Sequence, residues 1–175
     1  MPAISESRLR SRYGNYSSPS LGRSTQRRHT RANATTSVFL SHSSKDKDLA
    51  LLVKEALESQ GTAVYVDWLD DGLPTEITVM TARLIRERIN SNNLLLLLAT
   101  NNALASRWVP WELGYADGVH GEAGVAILPV ERNHETYRGN EYVGLYRELT
   151  LDGSSSTAAH RGILVEAKSW LTVRS

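Results

Sequence analysis

The chain has 175 residues, a formal net charge of +1, 41% hydrophobic and 22% charged residues, the proportions of an ordinary globular domain large enough to bury one core. It has no cysteine, which excludes a disulfide framework, a thiolate zinc site and a cysteine nucleophile. The longest apolar run, Leu94 to Ala99, is far short of the ~20 residues of a membrane-spanning helix. No apolar signal-peptide core is visible near the start, so a cytoplasmic location is expected.

The small net charge hides an asymmetry. Residues 1–36 carry Arg8, Arg10, Arg12, Arg23, Arg27, Arg28 and Arg31 against the single acid Glu6, which leaves this stretch at +6 and the remainder at −5. Such a basic, serine-rich, apolar-poor segment buries too little surface to offset its ordering entropy, so 1–36 is expected to be disordered and dispensable, with one folded domain over 37–175. Its composition also suits a transit peptide or contact with nucleic acid or anionic lipid, but it shows no amphipathic face. A solvated tail without nucleic-acid contact is the expectation.

The folded part opens with Ser37 to Ser41, a short β-rich run that stops at His42-Ser43-Ser44. Ser44 or Asp46 is placed to cap a helix carrying Leu49, Leu52, Val53, Ala56 and Leu57 on one face, with Gly61 as its stop. Thr62 to Val66 reads as a second strand, so the pair forms a βαβ unit with parallel strands. Asp67 to Pro74 is the most loop-like stretch inside the domain; its aspartates lack the closing Glu of a calcium loop, and no metal is expected. A helix through Ala82, Ile85 and Ile89 leads to Leu94–Ala99, an uninterrupted apolar strand buried on both faces. Ser106 to Gly114 follows, then a strand at Val125 to Val130, an edge strand at Tyr142 to Tyr146, and a last helix with Ile163, Leu164, Ala167, Trp170 and Leu171 buried. This alternation predicts an α/β fold with a doubly wound parallel sheet of about five strands.

In such sheets ligands bind beyond the C-terminal ends of the strands. Beyond the leucine strand lie Trp108, Trp111 and the carboxylate Glu112. Pro110 fits the first turn of a helix but disfavours a helical residue before it. An unbroken helix puts Trp108 and Glu112 on one face; a helix restarted at Pro110 loosens their relation. No dinucleotide fingerprint, phosphate loop or nucleophile elbow is present, and His29, His42, His120, His134 and His160 show no metal-ligand spacing. What remains is one acid beside aromatic rings. A carboxylate there can stabilise a sugar oxocarbenium ion or hold ribose hydroxyls, a task usually shared by two acids. The second acid is either absent or drawn from Asp67 to Asp71. With a cationic ring such as nicotinamide as leaving group no general acid is needed, and one carboxylate suffices.

Val38-Phe39-Leu40-Ser41-His42-Ser43, the loop Asp67 to Pro74, and Trp108-Val109-Pro110-Trp111-Glu112-Leu113 occur in an order that resembles the Toll/interleukin receptor (TIR) domain, of the bacterial stand-alone kind, over about residues 37 to 172. The last of these resembles the W-x-x-x-E segment of TIR enzymes, and Tyr142 to Tyr146 looks like the family's last strand. The resemblance implies a flavodoxin-like sheet and cleavage of NAD, as substrate and not cofactor, at its nicotinamide–ribose bond. The enzyme would be an NAD glycohydrolase or an ADP-ribosyl cyclase, with an antiviral role in which its product signals to a separate effector or NAD is depleted. It implies Glu112 as the catalytic acid and Ser41 and His42 beside the nicotinamide or ribose. Asp67, Trp68 and Leu69 would contact substrate from the loop after the second strand, Trp108 would shape the pocket, and copies of the chain would self-associate. Two other readings compete. One is a non-catalytic TIR interaction module; the other is a nucleoside deoxyribosyltransferase, a related fold with a glutamate nucleophile.

Overall fold

The computed structural model describes residues 3–14, 36–58, 62–67 and 78–149. Its centre is the leucine strand Leu94–Ala99, every residue of which is buried. Side chains alternate across a strand. Leu94, Leu96 and Leu98 therefore enter one core layer, and Leu95, Leu97 and Ala99 the other. In chain order the strands are β1 (Ile4–Ser5), β2 (Ser37–Ser41), β3 (Ala63–Tyr65), β4 (Leu94–Ala99), β5 (Val125–Glu131) and β6 (Arg147–Glu148). β2 and β5 flank β4, β3 lies outside β2, and every pairing is parallel.

Parallel pairing requires crossovers, and helices supply them. The helices are α1 (Glu6–Tyr13), α2 (Lys47–Glu58), α3 (Val79–Ser91), α4 (Asn101–Leu104) and α5 (Val109–His120). Leu49, Leu52, Val53, Ala56 and Leu57 of α2 pack with the even-numbered leucines of β4. Ile85 and Ile89 of α3 and Val109, Leu113 and Ala116 of α5 pack with the odd-numbered ones and Phe39. The result is the α/β doubly wound sheet expected, with the flavodoxin-like order β3-β2-β4-β5-β6. The order reverses between β2 and β4, the position at which open sheets of this kind bind ligands.

Two expectations need correction. Residues 4–13 are not structureless: β1 pairs with Val130 and Glu131 of β5, and Leu9 and Tyr13 of α1 are buried in the α2 layer. Averaging over the arginine-rich leader hides two apolar residues four apart on one helical face, behind Ser5, whose Oγ accepts from Arg8 N at the helix start. The structured unit therefore includes 4–13, and 15–35 lie outside the described residues. Tyr142 to Tyr146 is not a strand. Val143–Leu145 form a single 3-10 turn, with Tyr146 N donating to Val143 O at 3.2 Å. The edge strand is the two-residue β6 that follows, paired with Ala126 and Ile127; the β-prone Tyr and Val content outweighed Gly144 in the sequence reading. Ser44 lies in a 3-10 turn, Ser44–Asp46, whose own cap is Ser43, and Asp46 stands directly before α2. The helix expected around 163–171 and the loop residues 68–77 lie outside the described residues.

Candidate functional site

The site grows from the first turn of α5. Pro110 falls within that turn, where the amide hydrogen it lacks has no intrahelical partner to lose. The helix runs unbroken, with Glu112 N donating to Trp108 O at 2.9 Å. Trp108 holds the capping position, and Ser106 Oγ accepts from Trp108 N at 3.2 Å. The unbroken alternative for Trp108 and Glu112 is the one adopted.

Glu112 is 5% exposed. Ser41, the last residue of β2, is 1% exposed and donates its hydroxyl to Glu112 Oε2 at 2.6 Å. Strand β2 and the helix after β4 are thus joined across the point where strand order reverses. Burial pushes the Glu112 carboxyl up to about 7; the Ser41 hydroxyl, which favours the ionised form, opposes this, and the charge of Asp67 adds to it. The group is poised to gain or lose its proton near neutrality, or to meet a developing positive charge in a water-poor setting.

His42 is buried too, with its side chain 3% exposed. Nδ1 lies 3.2 Å from Leu40 O; a carbonyl only accepts, so that nitrogen carries the hydrogen. Nε2 lies 3.8 Å from Asp67 Oδ1. Desolvation lowers the His42 pKa, against the pull of Asp67 and the hydrogen bond to Leu40. Ser41, His42, Asp67 and Glu112 are therefore linked in one cluster at the C-terminal edge of β2, β3 and β4. Trp108 stands at the mouth of α5, its ring meeting Trp111 edge-on with centroids 5.3 Å apart. Trp111 itself is engaged elsewhere: it stacks on Tyr115, and Arg86 of α3 lies over both rings. Trp68 and Leu69 lie outside the described residues.

The pattern of the TIR domain matches residues 38–160. The chain belongs to the TIR domain family. It is similar to a protein from Bacillus cereus (strain MSX-D12), named a probable 3' cyclic ADP-D-ribose synthase ThsB', with 41% identity over 118 residues, 65% of this chain and 60% of that one. It is also similar to a Cytobacillus dafuensis protein provisionally named cyclic ADP-D-ribose synthase TIR2, with 32% identity over 82 residues, 45% of this chain and 22% of that one. The chain thus spans about three fifths and about one fifth of the lengths of these relatives. Within this TIR domain the match begins at β2, so β1 and α1 precede the matched segment.

Several polar residues at the same sheet edge escaped the sequence reading. Asp46 reads as a helix cap and Arg132 as part of a polar connection, yet they bond to each other across 86 positions, with Thr100 and Asn102 as further partners of Asp46. Their polarity was legible; their meeting was not. Among the described residues no cluster of His, Asp or Glu has the make-up of a metal site, and no helix is long and apolar enough to cross a membrane.

Proposed function

We propose that this TIR domain cleaves NAD at the bond between nicotinamide and ribose, with Glu112 as the catalytic carboxylate. The observation that carries this reading is the buried Glu112 carboxyl, held by Ser41 where the strand order reverses. As the C–N bond breaks, its electron pair leaves with nicotinamide, which departs neutral, and positive charge develops at the ribose anomeric carbon. A carboxylate fixed there stabilises the transition state more than the ground state, which is the condition for catalysis. Attack by water then gives linear ADP-ribose and a proton. Attack by a nucleophile of the same nucleotide gives a cyclic product, and the names of the two relatives favour this outcome. In this reading Ser41, His42, Asp67, Trp68, Leu69 and Trp108 line the substrate site, and the nucleotide product serves antiviral signalling through a separate effector. The defence role, the effector and self-association rest on the family resemblance alone.

The test is nicotinamide release from NAD, followed by chromatography, by the protein and by Glu112→Gln. The variant keeps size and hydrogen-bonding reach but not charge. Loss of one such electrostatic contact costs on the order of 3 kcal/mol, about a hundredfold in rate. Equal rates would remove Glu112 from the mechanism, and absence of cleavage by either protein would favour a TIR interaction module.

A further inference from the structure

Beside the candidate site lies an ionic cluster, buried at Asp46 and exposed at its outer end, that the proposed reaction does not use. The Asp46 carboxylate is completely buried. Thr100 Oγ1, just past β4, donates to its Oδ2; Asn102 Nδ2 and Arg132 Nη1, the latter just past β5, donate to its Oδ1, each at 2.8 Å. One side chain thus ties the turn after β2 to the end of its neighbour β4 and to the end of β5, the strand beyond. Arg132 also grips Asp48 in the first turn of α2, at 2.9 and 3.2 Å. Arg10 of α1 binds the same Asp48 and reaches back to Glu6, at 2.8 Å to its Oε1. Glu6 Oε2 in turn accepts from Asn133 N at 3.2 Å. Asn133 and the following His134 both have left-handed backbone, at φ 53° and 62°, a conformation unfavourable for residues other than glycine that persists where its surroundings hold it.

Buried ion pairs of this kind add little net stability, because desolvation consumes most of the attraction, and an apolar replacement often does as well or better. What such a cluster does supply is geometry. The turn it fixes runs from Ser43 to Asp46, whose backbone N donates to Ser43 O at 2.8 Å, and directly before it stand Ser41 and His42. We propose that Asp46 and Arg132, completed by Glu6 and Arg10 of α1, are positioning residues for the site. They hold the end of β2 and His42 in place without touching substrate, and they make the helix that precedes the TIR-matched segment part of the working unit. The catalytic half of this proposal rests on the NAD-cleavage reading above; the coupling of α1 to His42 does not.

Two variants of the full chain test it. Arg132→Lys keeps the charge but loses the planar fork that spans two carboxylates. Arg10→Gln alters a side chain that is 45% exposed, so it leaves the core intact. Misplacement of a reacting group by about 1 Å costs as much as ~100-fold in rate. We therefore expect kcat for nicotinamide release to fall about tenfold or more in Arg132→Lys and about threefold in Arg10→Gln, with KM little changed. Both are measured where circular dichroism shows the protein folded. The imidazole NMR signal of His42, assigned by its disappearance in His42→Gln, should shift in both. Wild-type kcat per folded chain, or an unmoved His42 signal, in both variants overturns the proposal. If the wild-type protein releases no nicotinamide, the functional reading fails separately. The His42 signal then decides the coupling alone: a shift in both variants upholds it, and no shift overturns it.

Discussion

A buried carboxyl such as Glu112 works against the fold whenever it is charged. Its folded pKa is raised from 4.5 to about 7 by desolvation, so between those values the folded protein retains a proton that the unfolded chain gives up. Below pH 4.5 the group is neutral in both states and carries no penalty. As pH rises through 7 the full penalty develops, about 3 kcal/mol. Glu112→Gln removes the charge and keeps an acceptor for the Ser41 hydroxyl. The variant is expected to be more stable than the wild type by up to about 3 kcal/mol at pH 8 and within about 1 kcal/mol of it at pH 5, as read by urea unfolding. An equal difference at both pH values would show that burial does not shift this group. Ser41 is the complementary probe, because its hydrogen bond favours the ionised form of Glu112. A hydrogen bond to a charged group contributes about 1.5–3 kcal/mol. Ser41→Ala should therefore move the acidic limb of kcat/KM against pH, centred near 7 in the wild type, upward by about one unit or more. An unmoved limb would mean that the limb reports another group.

At the level of elements, legibility followed the range of the interactions. β4 was readable to the residue, because the apolar run Leu94–Ala99, bounded by Asn93 and Thr100, is buried on both faces. The helical faces of α2 and α3 were readable from spacing, and the run from Trp108 to Glu112 falls on the start of α5, whose first turn holds the buried Glu112. Pro110 could not be resolved from sequence, since the same residue starts some helices and breaks others; only its place in the first turn of α5 decides. The pairs Ser41–Glu112 and Asp46–Arg132 were invisible for a different reason. Ser41 and Glu112 are 71 positions apart, and Asp46 and Arg132 are 86 apart. Strand order brings them together, and no local pattern encodes it. Tyr142 to Tyr146 failed on propensity: aromatic and β-branched residues favour strands only where a neighbouring edge is offered, and β5 pairs with Arg147–Glu148 instead.

For the molecule as a whole, the decisive edge is that of β5. Its outer side is shared by two strands of two residues each, β1 against Val130 and Glu131 and β6 against Ala126 and Ile127. An uncovered strand edge presents unpaired backbone groups to other chains, so β1 is more than an appendage. Behind it, Leu9 at 0% and Tyr13 at 3% exposure close the α2 side of the core, with Ile4 at 9%. Burial of each such side chain is worth about 1.5–3 kcal/mol, which makes the three together worth roughly 5–9 kcal/mol before the cost of ordering the segment. Removal of residues 1–14 is therefore expected to lower unfolding stability by several kcal/mol and to promote association through the bared β5 edge. Urea unfolding and sedimentation, each against the full chain, measure the two effects. Leu9→Ala separates packing from edge exposure: it keeps β1 paired, and loss of a buried leucine side chain costs about 2–5 kcal/mol. If the truncated chain is as stable and as monodisperse as the full one, and Leu9→Ala costs under about 1 kcal/mol, then α1 does not belong to the folded unit and the N-terminal segment is the dispensable tail its composition suggests.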